Sequence, residues 1–208
     1  MSFLSSKNGF IQSNASYFDS KINAQVIRIQ VGEIAITNKE GEAISTILGS
    51  CVAACIRDPV LKLGGMNHFM LPGEDLSTPI GEAIRYGTHA MEMLVNGLLK
   101  LGAQRNRFEI KLFGGGNVAS QSLRIGNKNI EFVRKFVQKE GFNVVGEDLG
   151  GDHGRCINYF PVTGKVLRKF LGQREEKEII QTEKIYEGGL SKKIRQEQKP
   201  SYGDIELF

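Results

Sequence analysis

The sequence has little cysteine: three residues in 208, at positions 51, 55 and 156. Three cannot all pair within one chain and their spacing is irregular, which excludes a disulfide framework. An unpaired cysteine in a reducing compartment is either core filler or chemistry. Long apolar runs are also missing, so no segment is suited to cross a bilayer as a helix. Residues 1–16 lack the basic stretch followed by an apolar one that marks a signal peptide. The expectation is a cytoplasmic protein with no membrane insertion. Lysine and arginine exceed the acids by only 27 to 23, and no dense basic block offers a nucleic-acid footprint. An apolar fraction of 40% is ordinary for a globular chain and supports one sizeable core.

The apolar residues that are present fall into alternating and helical patterns. Val26 to Val31 and Ile34 to Thr37 alternate and predict half-buried strands. Ala43 to Leu48 predicts a strand, Gly49-Ser50 a bend, Val52 to Ile56 a second strand, and Gly64 to Leu71 a third that carries His68. Gly73 to Ile80 reads as a loop, and Thr78-Pro79 as a helix entry. Ala83, Ile84, Gly87, Met91, Leu94, Leu98 and Leu101 recur at helical spacing. Phe108 to Phe113 reads as a strand leading into Gly114-Gly115-Gly116. Asn127 is placed as the N-cap of a second helix with Ile130, Val133, Phe136 and Val137 on its apolar face. Phe142 to Val145 gives another strand, and two more, Cys156 to Phe160 and Lys165 to Phe170, form a closing hairpin.

The candidate chemistry centres on Leu48-Gly49-Ser50-Cys51 and on His68. Glycine and serine before Cys51 let the backbone turn sharply, so that N–H groups can converge on a developing oxyanion. A thiol there acts as a nucleophile once a neighbouring imidazole or aligned N–H dipoles favour the thiolate. His68 is the nearest downstream histidine and the candidate base. His89 falls on the polar side of a helix, and His153 in a glycine-rich turn. A base also needs a group that fixes its tautomer. Ser45 shares a strand face with Cys51 if the chain stays extended, whereas a bend at Gly49-Ser50 favours Thr46. Two other classes compete: a silent binding module, and a zinc site built on Cys51, Cys55 and His68, which lacks a fourth ligand.

These motifs resemble the CheD family, the chemoreceptor glutamine deamidases of bacterial chemotaxis. The resemblance rests on Leu48-Gly49-Ser50-Cys51, Asp58-Pro59 and Gly65-Met66-Asn67-His68-Phe69-Met70-Leu71-Pro72. It continues through Gly114-Gly115, Ile125-Gly126 with Asn127, and Glu147-Asp148-Leu149-Gly150-Gly151 with Arg155. It implies an α+β fold of mixed β-sheets packed together with flanking helices. It implies a hydrolase that converts receptor glutamine side chains to glutamate and releases ammonia, with Cys51 as nucleophile and His68 as base. The third role in compact family members falls on a threonine six residues before the cysteine. That place holds Ser45 here, with Thr46 one step later. Gly150, Gly151 and Arg155 carry over as a substrate-side loop. The implied partners are chemoreceptor cytoplasmic helices and a CheC-type phosphatase; no metal or organic cofactor is implied.

The expected organisation is an N-terminal arm over 1–20, a deamidase domain over 21–171, and a charged, mobile tail over 172–208, partly helical at most. Within that tail, Ile205, Leu207 and Phe208 form a candidate docking peptide.

Overall fold

The computed structural model of the chain describes residues 16–71, 80–118 and 122–197. Among the described residues, ten strands are arranged in two mixed sheets. They are β1 (Ser16–Asp19), β2 (Ala24–Arg28), β3 (Ile34–Thr37), β4 (Glu42–Leu48), β5 (Val52–Asp58), β6 (Leu63–Asn67), β7 (Glu109–Gly114), β8 (Asn143–Leu149), β9 (Arg155–Phe160) and β10 (Lys165–Phe170). Three helices accompany them: α1 (Ile80–Lys100), α2 (Ser122–Lys139) and α3 (Gln173–Glu197). One sheet has the order β1-β2-β4-β9-β10 and the other β3-β6-β5-β7-β8. The architecture is the expected α+β one.

Strand parity divides the core into two layers. On β5, Val52, Ala54 and Ile56 face Met91, Leu94, Leu98 and Val133 of the helices. The intervening Ala53 and Cys55, together with Cys51 just before the strand, pack with Ile44 and Leu48 of β4 and with Ile157 and Tyr159 of β9. Successive side chains of a strand point to opposite faces, so one ribbon serves both layers. The same alternation runs through β6 and beyond: Met66 and Met70 face the other sheet, while Phe69 faces the helices. His68 lies between Met66 and Met70 in parity, and therefore points into the space between the sheets.

One sequence expectation is corrected and two are given detail. Asn127 is not a cap, because α2 already begins at Ser122. The adjacent glycine accounts for part of this: a Cβ on Gly126 would lie 2.8 Å from the carbonyl oxygen of Gly115, so the helix packs its backbone there. The end of the expected N-terminal arm, Ser16–Asp19, is an edge strand paired antiparallel with β2. The expected loose tail is, from Gln173, a helix with Ile179, Glu183 and Leu190 buried. Its charge-rich composition hid this, since only one residue in three or four contributes to the buried stripe. The Thr78-Pro79 helix entry and the Ile205, Leu207 and Phe208 peptide lie outside the described residues.

Gly64 and Gly65 let β6 sit flat between β3 and β5 and so place His68. A Cβ on Gly65 would come within 2.5 Å of the Ala35 carbonyl oxygen and 2.8 Å of a Leu94 methyl. Backbone cannot yield as a flexible side chain does. Gly65→Ala is therefore expected to destabilise the fold by about 1–3 kcal/mol, read as a lower midpoint in urea unfolding.

Candidate active site

Cys51 and His68 come from neighbouring segments of one sheet. Val52 and Phe69 exchange both backbone hydrogen bonds, at 3.0 and 2.9 Å, in an isolated antiparallel bridge. Cys51 and His68 are thus diagonal neighbours on the same face. Such neighbours lie about 7–8 Å apart, within the reach of a ring side chain. β6 itself stops at Asn67, so this bridge, rather than a regular ladder, sets the histidine diagonal to the cysteine, with no hydrogen bond between the imidazole Nε2 and the thiol.

Thr46 approaches from the opposite sheet. Its Oγ1 lies 2.7 Å from His68 Nδ1 and donates to the Ile29 carbonyl at 2.8 Å. A hydroxyl has one proton. With that proton on Ile29, Thr46 accepts from His68 Nδ1–H, which fixes the tautomer. Nε2 then carries the free lone pair, and it has no hydrogen-bond partner among the described residues. A neutral imidazole with an orphaned, unprotonated Nε2 is a base waiting for a proton.

The two hydroxyl candidates are separated by the same geometry. Ser45 points to the other face of β4, where its Oγ lies 3.9 Å from Cys156 Sγ. The parity that favours Ser45 assumes an extended chain to Cys51. The bend at Gly49 and Ser50 breaks that parity, so Thr46 shares the inward face with Ile44 and Leu48.

The bend builds a cradle of donors. The N–H groups of Gly49, Ser50 and Cys51 converge on the carboxylate of Glu183 from α3, at 3.0, 3.0 and 3.2 Å. Ser50 Oγ adds a fourth bond at 2.7 Å. Successive N–H groups aimed at one point form an anion-binding nest. Side chains on the loop are constrained to match: a Cβ on Gly49 would lie 2.9 Å from both Glu183 oxygens. Cys51 is 0% exposed, His68 2% and Glu183 4%.

A glycine loop holds the cradle from behind. Gly115 N–H donates to the Cys51 carbonyl and Gly116 N–H to the Gly49 carbonyl, both at 2.7 Å. Gly114 has φ +108°, and a Cβ there would stand 2.2 Å from the Cys51 carbonyl oxygen; only glycine fits. Gly150 N–H donates to the Gly114 carbonyl at 2.8 Å, and the Gly151 carbonyl accepts from Asn117 N–H at 2.7 Å. The expected substrate-side Arg155 has another task. It is 1% exposed, pairs with Asp148 at 3.1 Å, and donates to the carbonyls of Asp148, Gly150 and His153. Its guanidinium is committed to the shape of the loop, so it is not offered to a substrate.

Asn129 and Glu183 were missed by sequence reasoning. Asn129 on α2 donates to the Ser50 carbonyl and accepts from Leu71 N–H, each at 2.8 Å. It ties the cysteine loop to the segment after the histidine. Its signal was a polar residue on the apolar face, four positions before Val133. Glu183 had no local signal, since its role depends on contacts more than 130 positions away.

Burial sets the protonation of the pair. Desolvation, and next the charge of Glu183, push the Cys51 thiol well above its ordinary value. Desolvation alone lowers His68 to about 3. With Glu183 seated, both groups are neutral. Cys55 is buried between the sheets, and among the described residues no cluster of three or more His, Cys, Asp or Glu is placed to hold a metal.

Residues 70–170 match the family model described as CheD chemotactic sensory transduction. A protein of Methylobacillus flagellatus named "Probable chemoreceptor glutamine deamidase CheD" is 46% identical over 197 residues, covering 92% of this chain and 94% of that one. A Bordetella parapertussis protein of the same name is 49% identical over 163 residues, covering 77% of each. A crystal structure of the Bacillus licheniformis hypothetical protein YfiH overlaps 67% of this chain and 64% of that one, with a TM-score of 0.40 and 11% identity, too slight a likeness to carry an argument.

His68 gives a pH test. It stays neutral in the folded protein down to about pH 3, but takes up a proton near 6.5 once the chain unfolds. The unfolded chain therefore binds more protons between these values, and stability falls as pH drops from about 6.5 toward 3. His68→Asn, which keeps a donor for Thr46, is expected to flatten the pH dependence of the urea midpoint in this window. One proton changes the slope by at most about 1.4 kcal/mol per pH unit.

Proposed function

Because this chain belongs to the CheD family, we infer that it is a chemoreceptor glutamine deamidase, a protein-glutamine glutaminase of chemotaxis. Cys51 is the nucleophile, His68 the base and Thr46 the residue that orients it. The observation that carries this reading is the convergence of three backbone N–H groups on one carboxylate beside the Cys51 thiol. A carboxylate is the product of the reaction, and donors that hold it also suit the oxyanion that precedes it.

The chemistry follows from the parts. His68 Nε2 takes the thiol proton, and Cys51 Sγ attacks the glutamine carboxamide carbon. The tetrahedral oxyanion rests on the N–H groups of Gly49 and Cys51; one such donor is worth about 3–4 kcal/mol of barrier. His68 returns its proton to the departing nitrogen, the C–N bond breaks, ammonia leaves, and a thioester remains. Water, deprotonated by His68, then attacks the thioester carbonyl. The C–S bond breaks, and glutamate and the thiol are restored. Thr46 acts only through His68, by holding Nδ1–H and keeping Nε2 unprotonated.

The receptor substrate places the protein on the cytoplasmic side, where the modified receptor helices lie. A CheC-type phosphatase, the family's second partner, is assigned to the same face on the strength of the resemblance. A silent adaptor is the competing reading. Gly150 and Gly151 act in our account by bracing the 114–117 loop behind the cradle, and Arg155 by clamping them.

Purified protein incubated with a receptor cytoplasmic fragment is expected to convert specific glutamines to glutamate, detected by peptide mass spectrometry. Cys51→Ala is expected to abolish conversion. Thr46→Val should lower kcat by about 100-fold, the cost of a misplaced catalytic group, while Thr46→Ser retains most of it. Receptor binding without conversion would instead identify an adaptor.

A further inference from the structure

We propose that α3 is a built-in product mimic: Glu183 occupies the place of the deamidated side chain, and the track of α3 is the docking surface for a substrate helix. The inference rests on the deamidase reading and extends it to how substrate is recognised and how the site is kept closed.

The contacts are specific to a carboxylate. Every polar group that touches Glu183 there is a donor: three N–H groups and one hydroxyl. One carboxylate oxygen receives both Gly49 and Cys51, the place an oxyanion takes. The other faces Ser50, on the side of the leaving nitrogen. The side chain arrives from a helix, as a receptor side chain does. Residues 179, 183, 186 and 190 fall on one helical face, and Ile179, Glu183 and Leu190 are buried there. Half-buried Tyr186 meets the hydroxyl of Tyr86 on α1 and abuts Gly32, where a Cβ would be 2.8 Å from its hydroxyl oxygen. The partner is accordingly an amphipathic helix that presents a glutamine with an apolar residue four positions before it and others three and seven positions after.

The same helix is made to leave. Gly188 and Gly189 follow the inserted acid by about one and a half turns, with nothing within 4 Å of a Cβ at either, and consecutive glycines weaken a helix interior. Burial, and next the like charge of seated Glu183, pushes the half-buried Glu187 carboxyl upward. While α3 is seated, Cys51 is inaccessible, and burial first and the charge of Glu183 second keep its thiol protonated. A substrate helix must therefore displace α3, and its apparent affinity is reduced by the fraction of molecules that are open.

Two readouts on the full-length protein test this: the rate of Cys51 alkylation by iodoacetamide, located by peptide mapping, and the kcat and KM for the receptor cytoplasmic fragment. Glu183→Ala is expected to raise alkylation and lower KM by the same factor, about tenfold if about one molecule in ten is open, with kcat little changed. Leu190→Ala, which loosens α3 without touching the cradle, should move both the same way and decides the matter if Glu183→Ala does not fold. Gly188→Ala combined with Gly189→Ala should move both the opposite way, by up to about 30-fold, the sum of two glycine-to-alanine helix preferences. Unchanged or slower alkylation in folded Glu183→Ala or Leu190→Ala overturns the proposal. If no variant converts the receptor fragment, the deamidase reading falls, while the alkylation series still decides whether α3 covers the site.

Discussion

Three backbone N–H groups at residues 49–51 point at one place, and most of the structure serves to keep them there. A sharp turn exposes donors that must be satisfied, since a buried N–H without a partner costs as much as a lost hydrogen bond. Gly115 and Gly116 hold the carbonyls of the same turn from behind, and Asn129 holds a third. Arg155 shapes the loop that backs the glycines. With its carbonyls all taken, the turn has only its N–H groups left to offer. The site is thus rigid before any substrate arrives, which is what allows donors to stabilise charge without reorganising.

The second constraint is the alternation of faces in two packed sheets. It sends His68 and Cys51 inward together and brings Thr46 to meet the imidazole from the other side. The hydroxyl proton committed to Ile29 then decides which imidazole nitrogen is basic. A single-step shift in the register of β4 would turn Thr46 to the far face and take its hydroxyl away from Nδ1. Tautomer, and with it the chemistry, is a consequence of strand register.

Much of this was legible in the sequence. The alternating runs around Cys51 and His68 gave the strands, and the Gly49-Ser50 pair gave the bend. Cys51 and His68 could be singled out as candidates because a thiol after a glycine turn sits where backbone N–H groups can converge. What could not be read was whatever depends on chain segments meeting far apart in sequence. Ser45 and Thr46 differ only by parity across a bend, and a bend's effect on parity is not a local property. Arg155 read as a substrate anchor because a charged residue beside a glycine pair suggests a ligand; only its burial shows that its partners are carbonyls of its own loop. α3 read as a loose tail because its buried stripe is three side chains in a charged helix, with the decisive one, Glu183, itself an acid.

Glu183→Gln puts the central claim to its most direct trial. The change removes the charge that, after burial, raises the Cys51 thiol, and presents a carboxamide to that thiol from the chain's own helix. The account predicts that the introduced amide is hydrolysed in the purified protein, so that peptide mass spectrometry finds glutamate at position 183, and that adding Cys51→Ala stops the conversion. An amide that persists at position 183 in the folded variant, with Cys51 intact, would contradict the claim that this cradle is where carboxamides are turned into acids.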